Sequence, residues 1–147
     1  MVVANLEHCI FCKIIERKAH STIVYEDQLS LAFLDHFPIN SGHTLVVPKK
    51  HYATMQDMPE EEVGRLFAAV AKVMKGVHRA TRADGINIGQ SNGAAASQEV
   101  FHMHVHIIPR FSHDSKGGMT FPERKRATLA EREEMGRAIH EALGKNA

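Results

Sequence analysis

Residues 102–108 read His-Met-His-Val-His-Ile-Ile, a polar–apolar alternation that commits the stretch to an extended strand. Successive strand side chains point to opposite faces, so His102, His104 and His106 share one face while Met103, Val105 and Ile107 share the other. The apolar face is suited to burial against a helix. At ~3.3 Å per residue the neighbouring imidazoles stand ~7 Å apart, and a phosphate group can touch two at once. Imidazole is nucleophilic near neutral pH and exchanges a proton there. A single strand histidine is most simply a satisfied polar residue, but three in strict alternation are not explained that way. Alternating histidines are also good zinc or copper ligands, so spacing alone leaves catalysis and metal binding open.

Around this strand the periodicities predict an α+β fold. Ile10 to Arg17 has helical spacing. Ile23-Val24-Tyr25 and Leu29 to Leu34 form a hairpin about Glu26-Asp27-Gln28, and Thr44 to Val47 is a third strand closed by Pro48. From Pro59 to about Thr81, Val63, Leu66, Phe67, Val70, Met74 and Val77 fall on one stripe of a long helix. Its first-turn glutamates complement the helix dipole, and Asp84-Gly85 ends the segment. Ile86 to Gly89 is a fourth strand, Ser91 to Ser97 a small-residue loop, and Val100 to Ile108 a fifth strand ending at Pro109. Ser112 to Arg126 reads as irregular and polar. Thr128 to Glu131 offers a capping box for a last helix with Met135, Ile139 and Leu143 inward and Gly144 as its stop. Helices interspersed without a regular βαβ beat favour an antiparallel sheet.

Composition narrows the class. The 147 residues fit one domain with a core of about 8–110 and an extension over 111–147. A formal charge of +1 lacks the basic excess of a general nucleic-acid binder. No apolar run approaches the ~20 residues of a membrane span, and no export signal is evident, so a cytoplasmic protein with no membrane or nucleic-acid partner is expected. The only two cysteines, Cys9 and Cys12, read as a metal or redox pair rather than a disulfide framework.

From Cys9 to Arg110 the chain resembles the histidine-triad (HIT) superfamily. The likeness rests on Ile10-Phe11-Cys12-Lys13-Ile14-Ile15, on Leu31 through Asp35 and Pro38 to His51, and on Asn92-Gly93 followed by Gln98-Glu99-Val100-Phe101 leading into the triad. It implies the HIT fold, a five-stranded antiparallel sheet with the long helix packed on it, in a homodimer. It further implies attack by His104 on the phosphorus of a nucleoside 5′-monophosphoryl group, chiefly adenylyl, through a covalent nucleotidyl-histidine. The carbonyl of His102 would orient that ring, and His106 would hydrogen-bond the phosphate or the bridging atom. Asp35 matches the ribose-binding carboxylate. Ile10, Phe11 and Phe33 match the slot for a purine base, and Asn92, Gln98 and the loop between them match the phosphate donors.

Two features set the chain apart within that resemblance. Cys9 and Cys12 match a zinc-bearing branch in which His51 and His102 complete a closed structural site; reduced core thiols or a redox couple are the alternatives. Glu99, in the nucleotide-binding segment, stands where the phosphoramidase-like (Hint) branch usually carries serine. No organic cofactor is implied. The substrate class ranges over phosphoramidates, acyl-adenylates and dinucleoside polyphosphates. A nucleotide-responsive regulatory module with incidental turnover and a non-catalytic zinc protein are the competing functions.

Overall fold

The computed structural model describes residues 6–115 and 124–144. In chain order these form α1 (Ile10–Ile15), β1 (Ile23–Glu26), β2 (Ser30–Leu34), β3 (Thr44–Pro48), α2 (Glu60–Thr81), β4 (Gly85–Gly89), β5 (Val105–Arg110) and α3 (Leu129–Gly144). The five strands make one antiparallel sheet in the order β1-β2-β3-β5-β4. The fold is α+β, an open antiparallel sheet with helices. Residues 116–123 of the stretch expected to be irregular, and the ends of the 147-residue domain at 1–5 and 145–147, lie outside the described residues.

Register assigns each face its partner. Ala32 pairs with Val46, and Val46 with Val105; these side chains join Leu34, Ile107 and Met103 in the main core under α2. On the opposite face Phe33 pairs with Leu45, and Leu45 with His106. Phe33, Leu45, Leu31 and Val47 form a smaller core there with Phe11 and Ile14 of α1. The histidine face is therefore rooted in a second apolar cluster, while the long helix covers the other side. Each large buried side chain in these cores contributes about 1.5–3 kcal/mol relative to exposure.

Local chemistry sets the boundaries. In α2 the buried positions Leu66, Ala69, Val70, Val73, Gly76 and Val77 keep a helical period, and Glu60, Glu61 and Glu62 occupy the first turn. Pro59 is the N-cap rather than the first helical residue. α1 stops at Ile15, with Arg17 in the left-handed region at φ 63°. In α3 the expected capping box is present: the Thr128 amide donates to Glu131 Oε2 and the Glu131 amide to Thr128 Oγ1, both at 3.1 Å. Ile139 is fully buried there, while Met135 and Leu143 pack against the core partly buried.

One expectation is corrected. β5 begins at Val105, not Val100. The segment before it bends at residues 100–102 and pairs otherwise: the Met103 amide donates to the Tyr52 carbonyl at 2.7 Å, and the His102 ring to the Pro48 carbonyl at 2.8 Å. A strand ladder is replaced there by a side-chain anchor, and that frees backbone groups for the site.

Candidate active site and metal cluster

The partners of each ring fix which nitrogen carries the proton. His104 Nδ1 lies 2.7 Å from the carbonyl oxygen of His102, so Nδ1–H donates and Nε2 keeps a bare lone pair. Burial pushes the His104 pKa down, opposed by that carbonyl and by the Asp35 and Glu99 carboxylates. The ring is therefore neutral and nucleophilic at neutral pH. Phe11 stands edge-on to it with centroids 5.1 Å apart, fixing its plane.

His106 is set by His43, a residue the sequence reading did not single out. The Ile39 amide donates to His43 Nδ1 at 3.0 Å, which leaves the single proton of a neutral ring on His43 Nε2. That nitrogen lies 2.9 Å from His106 Nδ1 and donates to it. His106 consequently carries its own proton on Nε2, its free donor position. Burial, with the neighbouring His104 and Arg124 charges, pushes His106 down to about 4. Burial, followed by the charges of His106 and Arg124, holds His43 well below its ordinary value. Gly42 makes this placement possible. It turns at φ +100°, and a Cβ on it would stand 2.6 Å from Thr81 Cγ2.

Asp35 follows β2 and faces the same group. One oxygen accepts from the Phe37 amide at 2.9 Å; the other lies 3.6 Å from His43 Nε2 and 3.5 Å from the Arg124 guanidinium. Burial raises its pKa, opposed by the Phe37 amide and the Arg124 charge. Arg124 belongs to the segment leading into α3 and was not anticipated from the sequence.

The remaining expected residues divide. Phe11 is buried against Phe33 with centroids 5.3 Å apart, Phe33 is core at 2% exposure, and Ile10 is 45% exposed. The Phe33 face is thus closed to a ligand in this conformation. Gln98 is buried, and its side chain is spent on the backbone. Its oxygen accepts from the Gly93 amide at 2.7 Å, and its amide nitrogen donates to Ala53 and Val100 carbonyls at 2.7 and 3.0 Å. It shapes the loop and has no hydrogen left for a phosphate. Asn92 accepts from the Met55 amide at 2.7 Å and is bonded to Gln90. Glu99 is exposed beside His104 and Asp35, where its charge is felt by both.

Behind the triad, one donor atom from each of Cys9, Cys12, His51 and His102 lies within 4.8 Å of the others. His102 donates from Nε2 to Pro48, so its bare Nδ1 faces the cluster, 3.4 Å from Cys9 Sγ and 3.5 Å from Cys12 Sγ. His51 Nδ1 lies 3.3 Å from Cys12 Sγ and 3.1 Å from His102 Nδ1, and its other nitrogen is buried without a partner. A tetrahedron built with usual zinc–sulfur and zinc–nitrogen bonds has edges of about 3.3 Å between nitrogens and about 3.6 Å between nitrogen and sulfur, close to these separations. The donor set therefore fits a tetrahedral cation. Burial and the adjacent Cys9 sulfur push the Cys12 thiol up to about 12, so a soft cation must displace its proton.

The HIT domain family model matches residues 16–113. The chain is 43% identical to an uncharacterized HIT-like protein of Saccharolobus solfataricus over 92% of this chain and 97% of that one. It is 41% identical to an adenylylsulfatase of Arabidopsis thaliana over 72% of this chain and 54% of that protein. A Zn-bound histidine triad family protein of Mycobacterium smegmatis superposes with a TM-score of 0.82 at 35% identity, covering 95% of this chain and 96% of that one. No helix among the described residues is long and apolar enough to cross a membrane. By its family match and its curated relatives, the chain belongs to the HIT domain family.

Proposed function

We propose that this chain is a nucleotide hydrolase or transferase that moves a nucleoside 5′-monophosphoryl group, chiefly adenylyl, through a covalent bond to His104. The observation that carries the reading is the His104 ring, neutral, held by Nδ1–H to the His102 carbonyl at 2.7 Å, with Nε2 bare. In this scheme the Nε2 lone pair attacks phosphorus and the bond to the leaving group breaks. His104 keeps its Nδ1 proton and becomes cationic. Asp35 and Glu99 favour that charge, and the bond to the carbonyl becomes charge-assisted. His106 Nε2–H donates a hydrogen bond to the phosphoryl oxygens or the bridging atom. Water then attacks phosphorus, restoring neutral His104 and releasing the nucleotide and a proton. The adenylylsulfatase relative supports an adenylyl substrate.

Asp35 is the acceptor for ribose hydroxyls, and Phe11 with the exposed Ile10 lines the approach for the base. Asn92 and Gln98 hold the loop of residues 93–98 beside the triad. The Cys9, Cys12, His51 and His102 cluster would hold zinc. Four protein ligands leave it no open position, so its chemistry is structural. Support comes from the donor geometry and the Zn-bound relative. The reading further includes one domain over 1–147, a cytoplasmic location and a homodimer. Among the described residues strand β4 pairs only with β5 and exposes Ile88, which makes it an open edge; light scattering should give twice the chain mass.

Labelled adenylyl substrate, quenched during turnover, should leave label on His104. His104→Ala should bind AMP with at most a few-fold change and form no product. Product formation by that variant would remove the enzyme reading, and unlabelled wild type during turnover would remove the covalent one.

A further inference from the structure

His43 and His106 share one hydrogen bond that can run in either direction. As found, the Ile39 amide donates to His43 Nδ1 at 3.0 Å, so His43 donates from Nε2 to His106 Nδ1 at 2.9 Å and His106 offers Nε2–H. With the Ile39 amide withdrawn, both rings could exchange tautomers. His106 would then donate from Nδ1 to His43 and turn a bare Nε2 lone pair toward the site. The pair keeps its one bond either way. Asp35 Oδ2 stands 3.6 Å from His43 Nε2, outside hydrogen-bond reach, so the main-chain amide decides between the two arrangements.

What aims that amide lies one residue further on. Ile39 is buried, yet apolar burial has no direction and does not orient a peptide group. Asn40 does. Its Nδ2 donates to the Pro109 carbonyl at 2.8 Å and to Asp114 Oδ2 at 3.0 Å. A carbonyl and a carboxylate only accept, so the side-chain amide can sit in one sense alone. The main-chain carbonyl of Asn40 accepts from the His43 amide at 3.0 Å and closes the turn that carries Ile39. Asp114 is itself held. Arg110 donates to its two oxygens at 2.9 and 3.1 Å, and the Phe111 amide donates at 3.0 Å. Arg110 also donates to Asn87 of β4 at 2.8 Å. The ladder between β3 and β5 begins at the Thr44–Ile107 pair. Ahead of it, Asn40 ties the turn to the far end of the strand that carries His106.

We propose that Asn40 is a positioning residue for nucleotidyl transfer: clamped to Pro109 and Asp114, it holds the Ile39 amide on His43 and so keeps His106 an Nε2–H donor. The inference rests on the hydrolase reading above and deepens it. Asn40 touches neither substrate nor reacting atoms in this scheme, and no bond changes at it. Its effect is on which nitrogen of His106 bears the proton. An Nε2–H lends a hydrogen bond to the phosphoryl oxygens, whereas a bare Nε2 would set one lone pair against another.

Nitrogen NMR of the isotope-labelled full chain, with His106 assigned through His106→Gln, reads the tautomer. Turnover of adenylyl sulfate and of adenosine 5′-phosphoramidate, with AMP binding, is measured beside it. Wild type should show His106 protonated at Nε2 and bare at Nδ1. In Asn40→Ala the two ring-nitrogen signals should move toward each other as the tautomers mix. The kcat should fall about tenfold or more, with KM and the AMP Kd within about threefold. Asn40→Ser, which keeps one donor for the two acceptors, should lie between on both readouts. Should the alanine chain not fold, the serine chain decides, and unmoved His106 signals there overturn the proposal. A merely structural asparagine would lower the thermal midpoint and leave the tautomer intact. An unchanged tautomer in folded Asn40→Ala, whatever its kcat, would overturn the proposal. So would a mixed tautomer at undiminished kcat, or a wild-type His106 protonated at Nδ1. If wild type hydrolyses neither substrate while binding AMP, the hydrolase reading itself fails; if it turns over and the variants keep its tautomer, only the role of Asn40 does.

Discussion

His102 serves His104 and the metal cluster from two different atoms. Its carbonyl oxygen accepts from His104 Nδ1 at 2.7 Å, while its own ring turns Nδ1 toward the sulfurs of Cys9 and Cys12. Whatever fixes the His102 ring also fixes the acceptor that orients the attacking one.

Metal content is accordingly predicted to matter for both stability and turnover. Elemental analysis should find about one zinc per chain, given four ligands to a tetrahedral ion. Chelation, or Cys12→Ser, should lower the thermal midpoint by at least about 5 °C and reduce turnover with it. A metal-free chain with an unchanged midpoint would contradict the structural role.

His43 touches no reacting atom in this scheme but sets the tautomer of His106. His43→Phe keeps a ring while removing the donor to His106 Nδ1 and the acceptor for the Ile39 amide. Steady-state kinetics should give a kcat lower by about tenfold or more, with a smaller change in KM. Equal kcat in the two proteins would mean that His106 needs no such partner.

Gln98 should behave as a structural residue of the loop. Gln98 is buried and holds three hydrogen bonds to the backbone, so Gln98→Ala should cost about 2–4 kcal/mol in urea denaturation. A change under about 0.5 kcal/mol, the size usual for an exposed surface site, would mean that the loop holds without it.

Acidification should destabilise the fold. His106 is held down to about 4 and His43 well below its usual value, whereas both titrate near ~6.5 in an unfolded chain. Below that value the unfolded chain takes up protons that the folded one refuses, so unfolding becomes easier as pH falls; above it their contribution is complete. Asp35, raised by burial, acts in the opposite sense at lower pH. Urea midpoints should fall between about pH 7 and pH 5, and less steeply in His43→Phe. A flat profile over that window would show that these rings are not buried neutral.

Much of this was legible in the sequence because the signals were local. Alternation placed Met103, Val105 and Ile107 in the core beneath α2, periodicity gave α2, and Thr128 with Glu131 gave the start of α3. The cysteine pair and His51 converge with His102 as the family resemblance implied. What was missed depends on register or on distant contacts. His43 faces His106 because Leu45 pairs with that histidine, which places position 43 on the same side of the sheet two residues away. Nothing within Gly42-His43-Thr44 reveals that pairing. Arg124 reaches Asp35 across 89 positions of sequence, beyond any periodic pattern. The late start of β5 has a similar origin: the His102 ring, not a ladder, engages Pro48.

The proton positions of His102, His104 and His43 are dictated by main-chain atoms, namely the carbonyls of Pro48 and His102 and the amide of Ile39, and His106 takes its own through His43. Grafting three alternating histidines onto a strand of some other scaffold would therefore copy the appearance without the reactivity. A transplant would have to bring those peptide groups along, because they decide which side of each imidazole is left available for chemistry.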